Sequence, residues 1–377
     1  MRYNDFHGEK ISVLGFGLMR LPVLNNDQSQ IDMEKVEEMI LYACEHGINY
    51  YDTAYPYHNG FSEKALGEIL EKNNLRDKVN IATKLFTLEI GKPGFDPEKM
   101  LATQLERLRT DHIDFYLIHG LHGDQWDRLK NEYNIVEFLN EKRAKGVIRY
   151  MGFSFHDDYD RFVQIIDDYN WDFAQIQYNY LDHEIQAGDK GLAYAKSKGI
   201  PLNIMEPLKG GNLIFPDYAQ IEEIKAKHGI TESSAELGLR YVFDKENLHV
   251  VLSGMSALPQ MVENVGIADR AGVGCLTKEE EECIEDIRKF LATVETIPCT
   301  ACRYCVAGCP QEIAIPRAFS CYNTAVKFGN KEAQLRTYNR DCTNLADCVE
   351  CGQCMDACPQ HLEVPELLKK VRAYFEG

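Results

Sequence analysis

No apolar run in this 377-residue sequence is long enough to cross a membrane. Positive charge is scarce: 41 Lys and Arg stand against 59 Asp and Glu, a net charge of −18. A phosphate backbone needs a basic stripe, so nucleic acid is excluded as a partner. The first ten residues are polar and mixed in charge, with no apolar signal segment, which gives the expectation of a cytoplasmic protein. No G-x-G-x-x-G follows the first apolar run, and Gly15-Phe16-Gly17 alone is a poor dinucleotide loop. That weighs against a doubly wound Rossmann sheet. Tryptophan occurs twice, as Trp126 and Trp171, both read as packing residues.

What the sequence has in excess is cysteine. Thirteen are present, and eight fall in two copies of one pattern: Cys299-x-x-Cys302-x-x-Cys305-x-x-x-Cys309-Pro310 and Cys348-x-x-Cys351-x-x-Cys354-x-x-x-Cys358-Pro359. Three closely spaced thiolates wrap one corner of an iron–sulfur cube, and the fourth, before the proline, serves the other cube. The pattern therefore assigns Cys299, Cys302, Cys305 and Cys358 to one 4Fe-4S cluster and Cys348, Cys351, Cys354 and Cys309 to a second. Structural zinc favours separated cysteine pairs, and disulfides suit short secreted chains. The odd total points to a reducing compartment. Cys44, Cys275, Cys283, Cys321 and Cys342 are left as small buried hydrophobes, with a minor ligand role open for the last two. The 38 residues between Cys309 and Cys348 exceed a compact ferredoxin hairpin, and their apolar spacing is helical, so an α-helical ferredoxin-like domain is expected.

Upstream, short apolar runs alternate with amphipathic stretches, the mark of repeated βα units. Strands are predicted at 11–17, 48–53, 79–85, 113–119, 150–155, 173–179, 201–206 and 250–253. Runs such as Phe115-Tyr116-Leu117-Ile118 are apolar throughout, as in parallel strands buried on both faces. The stripe Val36, Met39, Ile40, Ala43 after Asp32 is a capped amphipathic helix. Eight such units make an α/β fold of the (β/α)8, TIM-barrel type. The expected domains are a barrel over 1–275, a connecting helix over 276–297 packed on the barrel, and a two-cluster domain over 298–377. Thr277-Lys278-Glu279-Glu280 is a capping-box start for that helix. Barrel chemistry sits past the C-terminal ends of strands. Asp52, Lys84 and His119 close three successive strands, and Tyr57 follows Asp52 on its loop.

From Val13-Leu14-Gly15-Phe16-Gly17-Leu18 to Val262-Glu263-Asn264, the sequence resembles the aldo-keto reductase family. Asp52-Thr53-Ala54-Tyr55-Pro56-Tyr57, Thr83-Lys84 and Asp114-Phe115-Tyr116-Leu117-Ile118-His119 look like its catalytic motifs. The resemblance narrows to the subgroup with a C-terminal 4Fe-4S extension. It implies that Tyr57 is the general acid, Lys84 its pKa perturber, Asp52 the carboxylate that keeps Lys84 charged, and His119 the carbonyl-orienting donor. A phenol ionises near pH 10, and an adjacent ammonium is expected to lower that. Tyr55 is a rival to Tyr57; the family spacing favours Tyr57.

The same resemblance implies cofactor contacts from Gly17, Leu18 and Met19, and from Ser154 and Gln175 at the nicotinamide carboxamide. It implies others from Met205 with Glu206-Pro207-Leu208, from Ser253, Gly254, Met255 and Gln260, and from Glu263 and Asn264 at the adenine end. Met205 stands where the family has a ring-stacking tyrosine, and Phe155 follows Ser154 in place of asparagine. Gly254 and Gln260 stand where a Lys and an Arg often hold the 2′-phosphate. The expected cofactor is thus NAD(H) or NADP(H), leaning to NADH.

The leading reading is a nicotinamide-dependent oxidoreductase acting on a small-molecule aldehyde or ketone and carrying two clusters for electron transfer or regulation. Nicotinamide moves two electrons as hydride and a cluster moves one. A second reading is therefore a flavin- or ferredoxin-coupled oxidoreductase in which the barrel exchanges single electrons with the clusters. A third, of another class, is a non-catalytic redox-sensing subunit. Arg317, Lys327, Lys331, Arg336 and Arg340 give residues 316–341 a basic stretch that would suit an acidic electron carrier such as ferredoxin, or be only a solvated helix face.

Overall fold

The alternation of apolar runs closes into a barrel in the computed structural model, which describes residues 1–216 and 218–377. A hairpin comes first, β1 (Tyr3–Phe6) against β2 (Glu9–Ser12). Eight parallel strands follow: β3 (Leu14–Gly17), β4 (Tyr50–Asp52), β5 (Asn80–Phe86), β6 (Ile113–Leu121), β7 (Ile148–Phe155), β8 (Phe173–Gln177), β9 (Leu202–Met205) and β10 (Leu248–Ser253). They run in sequence order around the barrel, and β10 pairs with β3 to close it.

One predicted strand, 11–17, is two. The Ser12 hydroxyl donates to the Leu14 carbonyl at 2.8 Å, and its N–H donates to Asn49 Oδ1 at 2.8 Å, so the chain turns between β2 and β3. The hairpin then plugs the barrel floor. Phe6 lies 5.2 Å from the Phe115 ring, 4.8 Å from Tyr150 and 6.3 Å from Phe173, all near the N-terminal ends of their strands. The floor is thus closed by aromatics, with Asp114, Arg149 and Glu9 paired around its edge, and the mouth of the barrel lies at the C-terminal ends of the strands. The helix Met33–Glu45 forms as its stripe predicts, with Asp32 accepting from the Lys35 N–H and Val36, Met39, Ile40 and Ala43 buried.

The chain falls into two compact units. The first is residues 1–210 with 236–276, and holds the whole barrel. The second is residues 277–377 together with 211–235. Among its described residues the second unit has helices and no strand. The capping box opens the helix Lys278–Thr293, with Thr277 Oγ1 accepting from Glu280 N and Glu280 Oε2 accepting from Thr277 N. Helices Ile315–Phe328 and Val364–Glu376 share a core of Ala318, Phe319, Tyr322, Ala325, Leu368, Val371 and Phe375. Tyr218 binds into this unit by donating to the Val326 carbonyl at 3.2 Å. Among the described residues no helix is long and apolar enough to cross a membrane.

Candidate active site

Three neighbouring strands bring the reactive groups together. Asp52 ends β4 in register with Gly17 of β3 and Ala82 of β5. Lys84 lies two residues beyond Ala82, and His119 is paired across from Phe86 on β6. Lys84 is fully buried, and its Nζ donates to Asp52 Oδ1 at 2.8 Å, Asp52 Oδ2 at 2.7 Å and the Thr53 carbonyl at 2.6 Å. Burial works against the ammonium, but Asp52 and Tyr57 more than offset it, so Lys84 titrates above an ordinary lysine. It stays charged.

Tyr57 stands on the short turn Tyr57–Gly60, where His58 and Asn59 take left-handed backbone angles. His58 pins that turn: its Nε2 accepts from the Leu21 N–H at 3.1 Å while Nδ1 faces the Gln28 carbonyl at 3.2 Å. Nδ1 therefore carries the ring proton. Lys84 Nζ lies 5.1 Å from the centre of the Tyr57 ring, and His119 lies 5.9 Å from it, edge-on. The expected drop in the Tyr57 pKa is not found. Burial pushes the phenol above its ordinary value, and the Lys84 ammonium opposes that only in part. Burial, with the field of Lys84, takes His119 down to about 3, so its imidazole is neutral. Its Nδ1 is buried without a partner.

These four groups line one cavity of about 520 Å³, a size that suits a cofactor headgroup with a small substrate. Of the expected cofactor residues, Gly17, Met19, Ser154, Gln175, Met205, Glu206 and Gly254 line it as well. Ser154 and Gln175 are register partners on β7 and β8. The Ser154 Oγ accepts from the Gly120 N–H at 2.6 Å, which leaves its hydroxyl proton to donate. Gln175 Oε1 is buried without a partner. A primary carboxamide needs one donor for its oxygen and one acceptor for its N–H, and these two side chains offer that set.

Leu18, Pro207, Leu208, Ser253, Met255, Gln260, Glu263 and Asn264 lie outside the cavity lining. Asn264 Nδ2 donates to Ser253 Oγ at 2.9 Å, and Gln260 Oε1 accepts from the Ser256 N–H at 2.8 Å, so both side chains already serve local structure.

In the second unit the cysteines gather around two small cavities of equal size, about 20 Å³ each. Cys299, Cys302, Cys305 and Cys358 line one; Cys309, Cys348, Cys351 and Cys354 line the other. Each cavity thus takes three thiols from one run and the last from the other. Among the described residues no His, Cys, Asp or Glu side chains converge tightly enough for a single metal ion. A cube spreads its four thiolates over four irons, so a ring of thiols around a void is the arrangement it needs. Cys321 and Cys342 line neither void and are buried in the apolar core of this unit. The basic stretch is mostly spoken for: Arg317 and Arg340 both bind Asp341, Arg336 binds Glu332, and Lys331 lies over the Tyr374 ring.

Residues 13–285 match the Aldo/keto reductase family, and residues 298–362 match a 4Fe-4S dicluster domain. The chain belongs to the aldo/keto reductase family. It is accordingly an NAD(P)H-dependent oxidoreductase of aldo-keto reductase type, with a 4Fe-4S domain at its C-terminal side.

The reductase is 26% identical over 317 residues to the L-galactose dehydrogenase of Arabidopsis thaliana, a match covering 77% of this chain and 93% of that one. It is 26% identical over 306 residues to the NADH-specific methylglyoxal reductase of Escherichia coli strain K12, covering 68% of this chain and 89% of that one. The holo form of aldo-keto reductase AKR11C1 from Bacillus halodurans superposes with a TM-score of 0.60 at 26% identity, over 76% of this chain and 95% of that one.

Several residues of the reductase cavity lay outside the sequence reading of the site: Arg20, Gln28, Pro56, Asn59 and His156. Arg20 ends the short turn Leu18–Arg20 after β3 and faces Glu206 at 3.5 Å. Its position directly after Met19 was the available signal. His156 and Gln28 arrive from loops whose course no periodicity encodes. Trp126 and Trp171 are buried against each other at 5.0 Å, as packing residues.

Proposed function

We propose that this reductase exchanges hydride between a nicotinamide cofactor and a small aldehyde or ketone, with Tyr57 giving the carbonyl oxygen its proton. The convergence of Tyr57, Lys84, Asp52 and His119 on one cavity carries the reading. Ser154 and Gln175 would hold the carboxamide, and Gln175 Oε1, buried without a partner, supports that fit. The nicotinamide supplies the hydride to the carbonyl carbon when bound. Neutral His119 cannot act as a proton source at neutral pH, so it orients the carbonyl as a hydrogen-bond donor. Tyr57 keeps its proton in the resting site and is the acid. Lys84, held charged by Asp52, stabilises the phenolate left behind. Gly254 and Gln260 bring no cation to the 2′-phosphate position, and this favours NADH.

The eight cysteines would hold two 4Fe-4S clusters, divided as the two cavities divide them. A cluster exchanges one electron and a hydride carries two, so in this reading the clusters stand off the hydride path. We place the protein in the cytoplasm, where thiols stay reduced. The pairing of Arg317, Arg336 and Arg340 with acids weakens residues 316–341 as a dock for an acidic carrier.

The test is NADH and NADPH oxidation by anaerobically purified protein with a panel of aldehydes. Tyr57→Phe should lose turnover and keep its visible spectrum; retained turnover would remove Tyr57 as the acid. A structured flavin band in that spectrum would favour single-electron exchange instead. If Cys302→Ala loses visible absorbance and turnover together, the clusters belong on the reaction path.

A further inference from the structure

We propose that Glu63, Gln104 and Arg107, none of which lines the cavity, form a positioning bridge that fixes the separation between Tyr57 and Lys84. This rests on the reading above, in which that pair handles the proton.

Glu63, on the helix Phe61–Lys72, is fully buried. Its two oxygens grip two different parts of the site. Oε1 accepts from Thr83 Oγ1 at 2.7 Å and from Gln104 Nε2 at 3.0 Å. Thr83 directly precedes Lys84 on β5, and Gln104 Nε2 also donates to the Lys84 carbonyl at 3.0 Å. Gln104 is itself fixed, because Tyr116 donates to its Oε1 at 2.9 Å. One oxygen thus holds the strand that carries the ammonium.

The other oxygen holds the loop that carries the phenol. Glu63 Oε2 accepts from Arg107 Nη1 at 3.0 Å, and that nitrogen also donates to the Tyr55 carbonyl at 3.1 Å. The guanidinium lies 4.4 Å from the centre of the Tyr55 ring. On the far side of Tyr57 it reaches Gly60, where a Cβ would meet its Nη2 at 2.9 Å. Gly60 has φ +87°, so a side chain there is disfavoured twice over. Tyr55 and Gly60 bracket Tyr57, and Arg107 touches both.

A rigid link between two reacting groups matters because a 1 Å error in their placement costs a rate on the order of 100-fold. A buried ion pair adds little to stability over an apolar replacement, which makes its position the informative feature. The charged and titratable groups that act on Tyr57 are Lys84 on β5, Asp52 on β4, and Arg20 on the turn after β3, with His119 of β6 against its ring. The bridge variants leave all four in place.

The experiment uses the full cluster-bearing protein, NADH and an aldehyde the wild type reduces. Glu63→Gln keeps the shape and removes the charge. Arg107→Lys keeps the charge and loses the planar fork. Gln104→Met releases the grip on the Lys84 strand, along with one donor to Glu63 and the acceptor of the Tyr116 hydroxyl, and leaves the Arg107 side of the bridge intact. The bridge predicts that kcat falls by about 10–100-fold with KM little changed. It also predicts that the alkaline limb of the kcat profile moves to higher pH, since Lys84 then acts on Tyr57 from farther away. A merely structural role would lower the melting temperature and leave that limb in place. Where Glu63→Gln does not fold, Arg107→Lys and Gln104→Met decide by the same two readouts. Wild-type kcat and an unmoved limb in any folded variant of the three overturn the bridge. Tyr57→Phe separates the two failures: if it keeps turnover, the proton assignment is wrong, and if it is dead while the bridge variants behave as wild type, only the bridge is.

Discussion

In the barrel, the reactive side chains stand on regular strands and hold one another. Lys84 spends its donors on Asp52 and Thr53, and its strand is held from behind by Glu63, through Thr83, and by Gln104. In the second unit, the eight thiols stand on loops and four-residue helices around the voids they line. Cys302 and Cys351 are exposed. A site of the first kind is organised before anything binds. A site of the second kind takes much of its order from its occupant, as metal-built domains do.

The sharpest way to break that contrast is to take the iron away. Both tryptophans, Trp126 and Trp171, lie in the barrel unit, so their fluorescence reports the barrel alone. Oxidative chelation should remove the visible absorbance and much of the helical circular dichroism of the second unit, with tryptophan emission unchanged. A small domain's whole stability is about 5–15 kcal/mol, and metal-built folds draw on about 10 kcal/mol or more from their ligands. An unchanged dichroism spectrum would show that the apolar core around Ala318, Phe319 and Val371 suffices without clusters.

The next effect falls on the barrel. Asp52→Ala leaves the Lys84 charge buried without its partner, which costs about 3–5 kcal/mol. A urea titration followed by tryptophan fluorescence should show it. Asp52→Leu with Lys84→Met removes both charges and should recover most of the loss while remaining inactive. If the single change costs less than about 1 kcal/mol, water or another group reaches Lys84, and the site is less preorganised than its geometry implies.

How much of each site could be read from the sequence follows the same division. The eight thiols were legible as two crosswise sets because ligand spacing along a chain is a local property. Asp52, Lys84 and His119 were legible because each falls at or within two residues of the end of an apolar strand, and a barrel brings strand ends together. Glu63, Gln104 and Arg107 were not: they lie on helices, at positions any buried polar group could fill, and their partners are distant in the chain. The sign of the Tyr57 shift was missed for a related reason. Spacing reveals that an ammonium is near the phenol, but the loss of solvation that outweighs it depends on everything packed around the loop. The break between β2 and β3 was likewise hidden, since it is made by Asn49, far along the chain.

Acid should distinguish the units as well. His249, on β10 under the hairpin, is buried against the Phe6 ring at 4.6 Å, with no hydrogen bond to either ring nitrogen. Burial, with His7 nearby, takes it from 6.5 down to about 4. An unfolded histidine binds its proton near pH 6.5 and the folded one does not until about pH 4, so the unfolded chain is favoured as pH falls through that window. The stabilisation is whole above pH 6.5 and about 3 kcal/mol smaller by pH 4. His249→Leu should flatten the pH dependence of the tryptophan transition between those values. A transition with unchanged acid sensitivity would assign the loss to other groups.

The smallest effect belongs to the second unit and tests how local its stability is. Thr277→Ala removes one half of the capping box, leaving the Glu280 N–H without its acceptor at the start of the helix Lys278–Thr293. Such a loss costs about 1 kcal/mol. In the cluster-bearing protein it should lower the midpoint of the dichroism transition and leave the tryptophan transition where it is. Thr277→Ser, which keeps the acceptor, should restore the midpoint. Should the tryptophan transition move by the same amount, the two units unfold as one, and the difference between a self-supporting site and an occupant-built one would be a difference of local geometry without separate stabilities.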